Sequence, residues 1–198
     1  MSQMTFAEWE QCVRPKVQGT WNLHHATSSA NLDFFLLFSS ICGVTGQWGQ
    51  ANYNAANSFL DAFVNYRHHQ NLPASVVDIG FMGSIGMAIE NSALEEKLKA
   101  SGYYFLREQD LIDALTIALA NSHPGKDRFT NKSQLGLGFR SSKPIATPSN
   151  RVVWKKDARM VLSHQLNSLG VITDDEARDS LRIAYQDQGT ETEKTIHV

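Results

Sequence analysis

The chain has 198 residues, with 18 Lys and Arg against 20 Asp and Glu, a formal charge of −2 and a pI near 6.4. That length suits one domain of roughly 100 to 200 residues rather than two, and without a basic field nucleic acid is a poor partner. The longest apolar run, Phe34 to Phe38, is far short of the roughly 18 residues of a membrane helix and no basic-then-apolar leader follows Met1, so a soluble, cytoplasmic chain with no membrane partner is expected. The 2 cysteines, Cys12 and Cys42, are too few for a disulfide framework and lack metal-ligand spacing.

Thr5 and Glu8 form a capping box ahead of Trp9, Val13, Val17 and Trp21, which predicts a first helix bent at Pro15. Asp33 to Ser39 is an apolar run without alternation, as in a parallel strand buried on both faces. A glycine-bearing loop from Gly43 to Gly49 leads to a helix from about Asn52 to His69, with Ala56, Phe59, Leu60, Phe63 and Val64 on one face. Ser75 to Ile79 then reads as a second strand, so strand, crossover helix and strand make a βαβ unit and the fold class is α/β.

A loop rich in Gly and Met, Gly80 to Ala88, precedes predicted helices at Leu94 to Lys99 and Asp110 to Ala120, and Gln134 to Phe139 reads as a short edge strand. Ser141 to Asn150, with two prolines among serines, reads as a linker. Beyond it, Trp154 to Leu169 and a stretch from the Thr173/Glu176 box to Tyr185 read as helices, and Gln186 to Val198 as disorder.

Chemistry concentrates where the first strand meets the second helix. Ser40 stands at the carboxyl end of a parallel strand, the edge at which open α/β sheets bind ligands. Tyr53 and Asn57, four apart, share a helical face near that edge. A hydroxyl that holds a carbonyl oxygen and a phenol that protonates it suit carbonyl reduction. A phenol with a pKa near ~10 needs a cation to stabilise its anion at neutral pH, so a lysine is required.

Val13 to His24, Leu32 to Ser40 and Gly49 to Asn57 together resemble the ketoreductase domain of polyketide synthases, within the short-chain dehydrogenase/reductase superfamily. Tyr53-x-x-x-Asn57 is that family's pattern, in which the lysine lies upstream, and Lys16, Ser40 and Tyr53 stand in its register, with steps of 24 residues (16 to 40) and 13 residues (40 to 53). The resemblance implies a catalytic tetrad of Lys16, Ser40, Tyr53 and Asn57, with NADPH as cofactor. It also implies a cofactor-side segment of Asp78, Ile79, Gly80, Phe81 and Met82 beside Tyr53, and a substrate wall or lid that includes Trp48, Gln50, Met82 and Met87. The motifs and the tail at Trp154 to Met160 are most similar to fungal highly reducing iterative synthases.

No Gly-x-Gly-x-x-Gly occurs, and Gly43/Gly46/Gly49 and Gly80/Gly83/Gly86 have the wrong spacing to cradle a pyrophosphate. The expectation is therefore the C-terminal catalytic half of a Rossmann-type doubly wound parallel sheet, residues 1–140, followed by a largely irregular or helical tail, residues 141–198. The implied function is NADPH-dependent reduction of the β-keto group of an acyl carrier protein-bound polyketide or fatty acyl thioester, with the partner an N-terminal ketoreductase half or other synthase domains and the chain inactive alone. Two alternatives remain open: a noncatalytic remnant or scaffold piece, and a short-chain reductase acting on a free small substrate.

Ser39 is the competing serine, and strand alternation turns it to the opposite face from Ser40. Cys42 has no neighbouring base and reads as a small packing residue. The pairs His24-His25 and His68-His69 look like metal ligands, but consecutive helical residues diverge by about 100°, so no metal is expected.

Overall fold

The computed structural model describes residues 4–83, 92–125, 132–161 and 164. Helix α1 spans Phe6–Ala26 and is closed by the predicted box: Glu8 N donates to Thr5 Oγ1 at 3.2 Å and Thr5 N to Glu8 Oε2 at 2.8 Å. It stays one helix across Pro15, where only a single backbone donor is lost. Strand β1 (Leu36–Ser40) passes into a one-turn helix α2 (Ile41–Thr45), and α3 runs over Ala51–His69. Strand β2 is Ser75–Ile79, as the sequence pattern predicts.

A short parallel pair, β3 (Phe81–Met82) and β4 (Phe105–Leu106), frames α4 (Ser92–Ala100). Helix α5 (Glu108–Ala120) precedes β5 (Gln134–Gly136), which is shorter than predicted. Gly138, at φ 86°, turns the chain out of extended conformation there.

The main sheet is parallel with order β1-β2-β5, and helices cover both faces. On one face α3 packs Leu60, Phe63 and Val64 on Phe35, Leu37 and Val76, and Trp21 of α1 closes over Phe59 and Phe63. On the other, Ala114 and Ala118 of α5 pack on Val77, with Leu36, Ile79 and Leu135 around them. Fully burying such a side chain is worth about 1.5–3 kcal/mol, so these two faces dominate the core. No helix among the described residues is long and apolar enough to cross a membrane.

Three further expectations change. Phe34 and Phe38 remain 51% and 49% exposed, so the apolar run is not buried on both faces. Strand β1 lies at the sheet edge and pairs only with β2 among the described residues, which leaves the ring of Phe38 without a covering element.

Ser141 to Asn150 is not a free linker either. Asn150 Nδ2 donates to Ser141 Oγ at 2.7 Å and to Lys143 O at 3.0 Å, and Arg151 N donates to Ser101 O at 2.8 Å. The chain then enters two 3-10 turns, Val153–Lys156 and Ala158–Met160, where an α-helix was predicted. Trp154, 1% exposed, is buried with Val152 and Tyr103 against Phe81, Phe105 and Phe139. A tryptophan that finds a core offsets the ordering entropy of a polar, proline-containing segment. The predicted helix from Thr173 and the predicted disorder of Gln186 to Val198 lie outside the described residues, as does Met87 of the predicted lid.

Candidate active site

Ser40 is the last residue of β1 and the N-cap of α2, its Oγ accepting from Cys42 N at 3.3 Å. That bond occupies a lone pair and leaves the hydroxyl proton to be given elsewhere. Gly43 lets α2 lie directly on α3: a Cβ built there would stand 2.9 Å from Ser58 N. The loop before α3 turns at Gly46 and Gly49, with φ 74° and 76°, and is tied to the helix by Asn54 Nδ2, which donates to Gln47 O at 3.0 Å.

Tyr53 is half-buried in the first turn of α3, and among the described residues its phenolic oxygen has no hydrogen-bond partner. Lys16 reaches in from α1: its Nζ donates to Phe38 O at 2.8 Å and stands 5.9 Å from the centroid of the Tyr53 ring. Burial pulls the Lys16 ammonium below its usual pKa, while Cys12 and Asp61 oppose this. Asn57 is fully buried and donates from Nδ2 to Tyr53 O at 2.8 Å, so it acts on Tyr53 through the backbone and does not meet solvent.

The tetrad residues of α1, β1 and α3 thus come to the carboxyl end of β1. Ser39 faces away from Ser40, as alternation predicts, and its Oγ donates to Asp61 Oδ1 at 2.9 Å. Burial pushes the Cys42 thiol up, which disfavours a thiolate and fits packing. His24 Nδ1 meets Arg67 Nη1 at 2.9 Å, and His68 Nε2 meets the carbonyls of Ala74 and Ser122 at 2.8 and 3.1 Å, so both histidines are spent on the scaffold.

The segment after β2 is more heavily committed to packing than the sequence suggests. The Asp78 side chain is 1% exposed and accepts from Gln134 Nε2 at 2.8 Å. Ile79 packs against the α5 layer, and Phe81 lies edge-on to Tyr103 with centroids 5.0 Å apart. Gly80 passes Leu137 O so closely that a Cβ would stand 2.8 Å away. What these residues offer a ligand is therefore mainly backbone, with Ile79, Phe81 and Met82 as partly exposed side chains. Trp48 is 89% exposed and Gln50, also exposed, sits at the N-cap of α3.

Asp61 is the polar residue that sequence reasoning passed over. It follows Tyr53 and Asn57 at the same spacing of four, within the apolar face between Leu60 and Phe63, and that intrusion of a carboxyl into a buried stripe was the available signal.

This geometry agrees with the comparisons to known proteins. The KR domain family matches residues 1–84, a span that holds Lys16, Ser40, Tyr53 and Asn57. Residues 1–84 belong to that family. Beyond the KR match, the chain is 53% identical over 172 residues to the highly reducing polyketide synthase lcsB of Purpureocillium lilacinum, an alignment covering 84% of this chain and 7% of that protein. It is 54% identical over 158 residues to the highly reducing polyketide synthase gloL of Glarea lozoyensis, covering 80% of this chain and 6% of that protein. The chain therefore spans well under a tenth of these relatives. Among solved structures it is similar to A-type ketoreductases from a modular polyketide synthase, with a TM-score of 0.66 and 25% identity over 84% of this chain and 33% of that one. A ketoreductase from the first module of phoslactomycin biosynthesis in Streptomyces sp. HK803 gives a TM-score of 0.59 at 26% identity, over 76% and 33% of the two chains. The KR fold, a parallel α/β sheet between helices, is the fold described above.

Proposed function

We propose that this chain carries the reaction centre of an NADPH-dependent ketoreductase that reduces the β-keto group of an acyl thioester tethered to an acyl carrier protein. The observation that carries the reading is the Lys16 ammonium beside the Tyr53 ring, at the end of the strand that Ser40 closes. The Ser40 hydroxyl, with its lone pair held by Cys42 N, is free to donate to a carbonyl oxygen. The Tyr53 phenolic oxygen, without a hydrogen-bond partner among the described residues, gives that oxygen its proton. Lys16, already desolvated, stabilises the phenolate left behind, because an adjacent cation favours the charged form. Asn57 holds the first turns of α3 in place through Tyr53 O.

The described residues fit the reacting end of NADPH: the carboxyl ends of β1 and β2, the backbone from Gly80 to Met82 and the Lys16 ammonium face one edge. When bound, the cofactor supplies a hydride to the carbonyl carbon, which with the Tyr53 proton makes the secondary alcohol. The test is an NADPH-consumption assay on a β-ketoacyl thioester, using a ketoreductase of full domain length that contains these residues. Tyr53→Phe should lower turnover by roughly 10²–10⁴-fold with an unchanged melting profile. Retention of most activity would remove Tyr53 as the acid.

A further inference from the structure

Asp61 lies on the same stripe of α3 as Tyr53 and Asn57 and points at the seam between β1 and β2. Its Oδ1 accepts from Ser39 Oγ at 2.9 Å, and Ser39 is the register partner of Asp78 on β2. Asp78 is 1% exposed; Oδ2 accepts from Gln134 Nε2 at 2.8 Å, while Oδ1 is buried with no donor from the described residues. Ser39 thus brings the Asp61 carboxyl to the seam at which the Asp78 carboxyl is buried with one oxygen unsatisfied. Two carboxylates have no hydrogen to place between them and repel, so they share one seam only when one of them is protonated.

We propose that Asp61 and Asp78 share a single proton and act as a positioning pair, fastening the Tyr53 face of α3 to the β1–β2 seam and presenting one negative charge rather than two to Lys16. The shared proton stands independently of the reductase reading; its bearing on Lys16 rests on that reading. Burial and the neighbouring Asp78 charge push Asp61 up to about 7, against the Ser39 hydroxyl and the Lys16 ammonium. The groups facing the pair are Lys16 from α1, Ser39 from β1 and Gln134 from β5, and of these only Lys16 is charged. A carboxyl raised by folding contributes stability below its unfolded value and loses it as pH rises through the folded one, so the seam weakens as pH climbs through about 7.

Infrared difference spectroscopy of the full chain, between about pH 5.5 and about pH 8.5, reads this proton without any assay of reduction; ordinary carboxyls, with pKa near ~4, stay ionised throughout that window. A protonated-carboxyl C=O band lost with a midpoint near 7 is expected, and it should be absent from both Asp61→Asn and Asp78→Asn. Denaturant titrations over the same window should show stability falling with pH in the parent chain and a flattened profile in Asp61→Asn, whose amide can still donate to Asp78. No such band in the parent chain, a band that survives in both variants, or an unchanged slope in Asp61→Asn would overturn the proposal. Should Asp61→Asn not fold, the parent band and the Asp78→Asn spectrum decide.

Discussion

A Cβ placed on Gly43 would lie 3.0 Å from the Cβ of Asn57, a separation that only a glycine on α2 avoids. Through this approach the helix capped by Ser40 is set against the helix carrying Tyr53. Gly43→Ala should therefore displace α2 and cost roughly 1–3 kcal/mol, the range for overpacking a close contact. Denaturant midpoints check this, and a stability equal to the parent's would show that α2 can move aside freely.

Lys16 donates to Phe38 O and stands 5.9 Å from the centroid of the Tyr53 ring, where in the proposed reaction its charge supports the phenolate. In a ketoreductase of full domain length, Lys16→Met should lower turnover by about 10²-fold or more with an unchanged melting profile. Turnover close to the parent's would assign Lys16 a packing role.

Arg67 is 2% exposed; its Nε donates to Pro73 O at 3.0 Å, its guanidinium stands 4.0 Å from the centroid of the Phe35 ring, and its Nη1 meets His24 Nδ1. Beside a permanent cation, His24 must be neutral to accept that bond, and burial, Arg67 and His25 all hold its pKa below the usual histidine value. A depressed folded pKa contributes stability above the unfolded value of about 6.5 and loses it as pH falls through the folded one. The His24 contribution should therefore be lost as pH falls from about 7 to about 5, read as the difference in denaturant midpoint between the parent and His24→Asn. That variant keeps an acceptor near Nδ1 but does not titrate. The Asp61 pair has the opposite sign, so the difference between His24→Asn and the parent isolates His24.

Trp154 ties Val152 and Met160 to Tyr103 and Phe81. Trp154→Ala should cost roughly 3–5 kcal/mol locally and open Ser141 to Met160 to limited proteolysis, while Leu36 to Ile79 stays protected. Rapid cleavage of this segment in the parent chain would contradict its packing.

Phe38 lies within, and Phe34 just before, an apolar strand whose outer edge pairs with nothing among the described residues. Such an edge templates association, so the 198-residue chain should sediment as dimers or larger species, and Phe38→Lys should shift it toward monomer. A monodisperse parent chain would count against an available edge.

Much of this architecture was legible in the sequence because its signals are local. The Thr5/Glu8 box opens α1 within a single turn, Ser75 to Ile79 declares a buried parallel strand by its composition, and Ser40, Tyr53 and Asn57 fall at one sheet edge by strand end and helical spacing alone. Lys16 needed more than periodicity: on α1 it reads as an ordinary solvated lysine until its register with Ser40 and Tyr53 is compared with a family. Tertiary structure decided the rest. The packing of Trp154 on Tyr103 joins residues 51 apart (103 to 154), and no local pattern announces a core formed by a proline-containing segment. The convergence of Asp61 and Asp78 on Ser39 depends on the β1–β2 register that sets Ser39 opposite Asp78, and on the azimuth of α3 above that seam. Register and azimuth are outcomes of burying apolar surface over the whole sheet, whereas a sequence pattern reports only what neighbouring residues prefer.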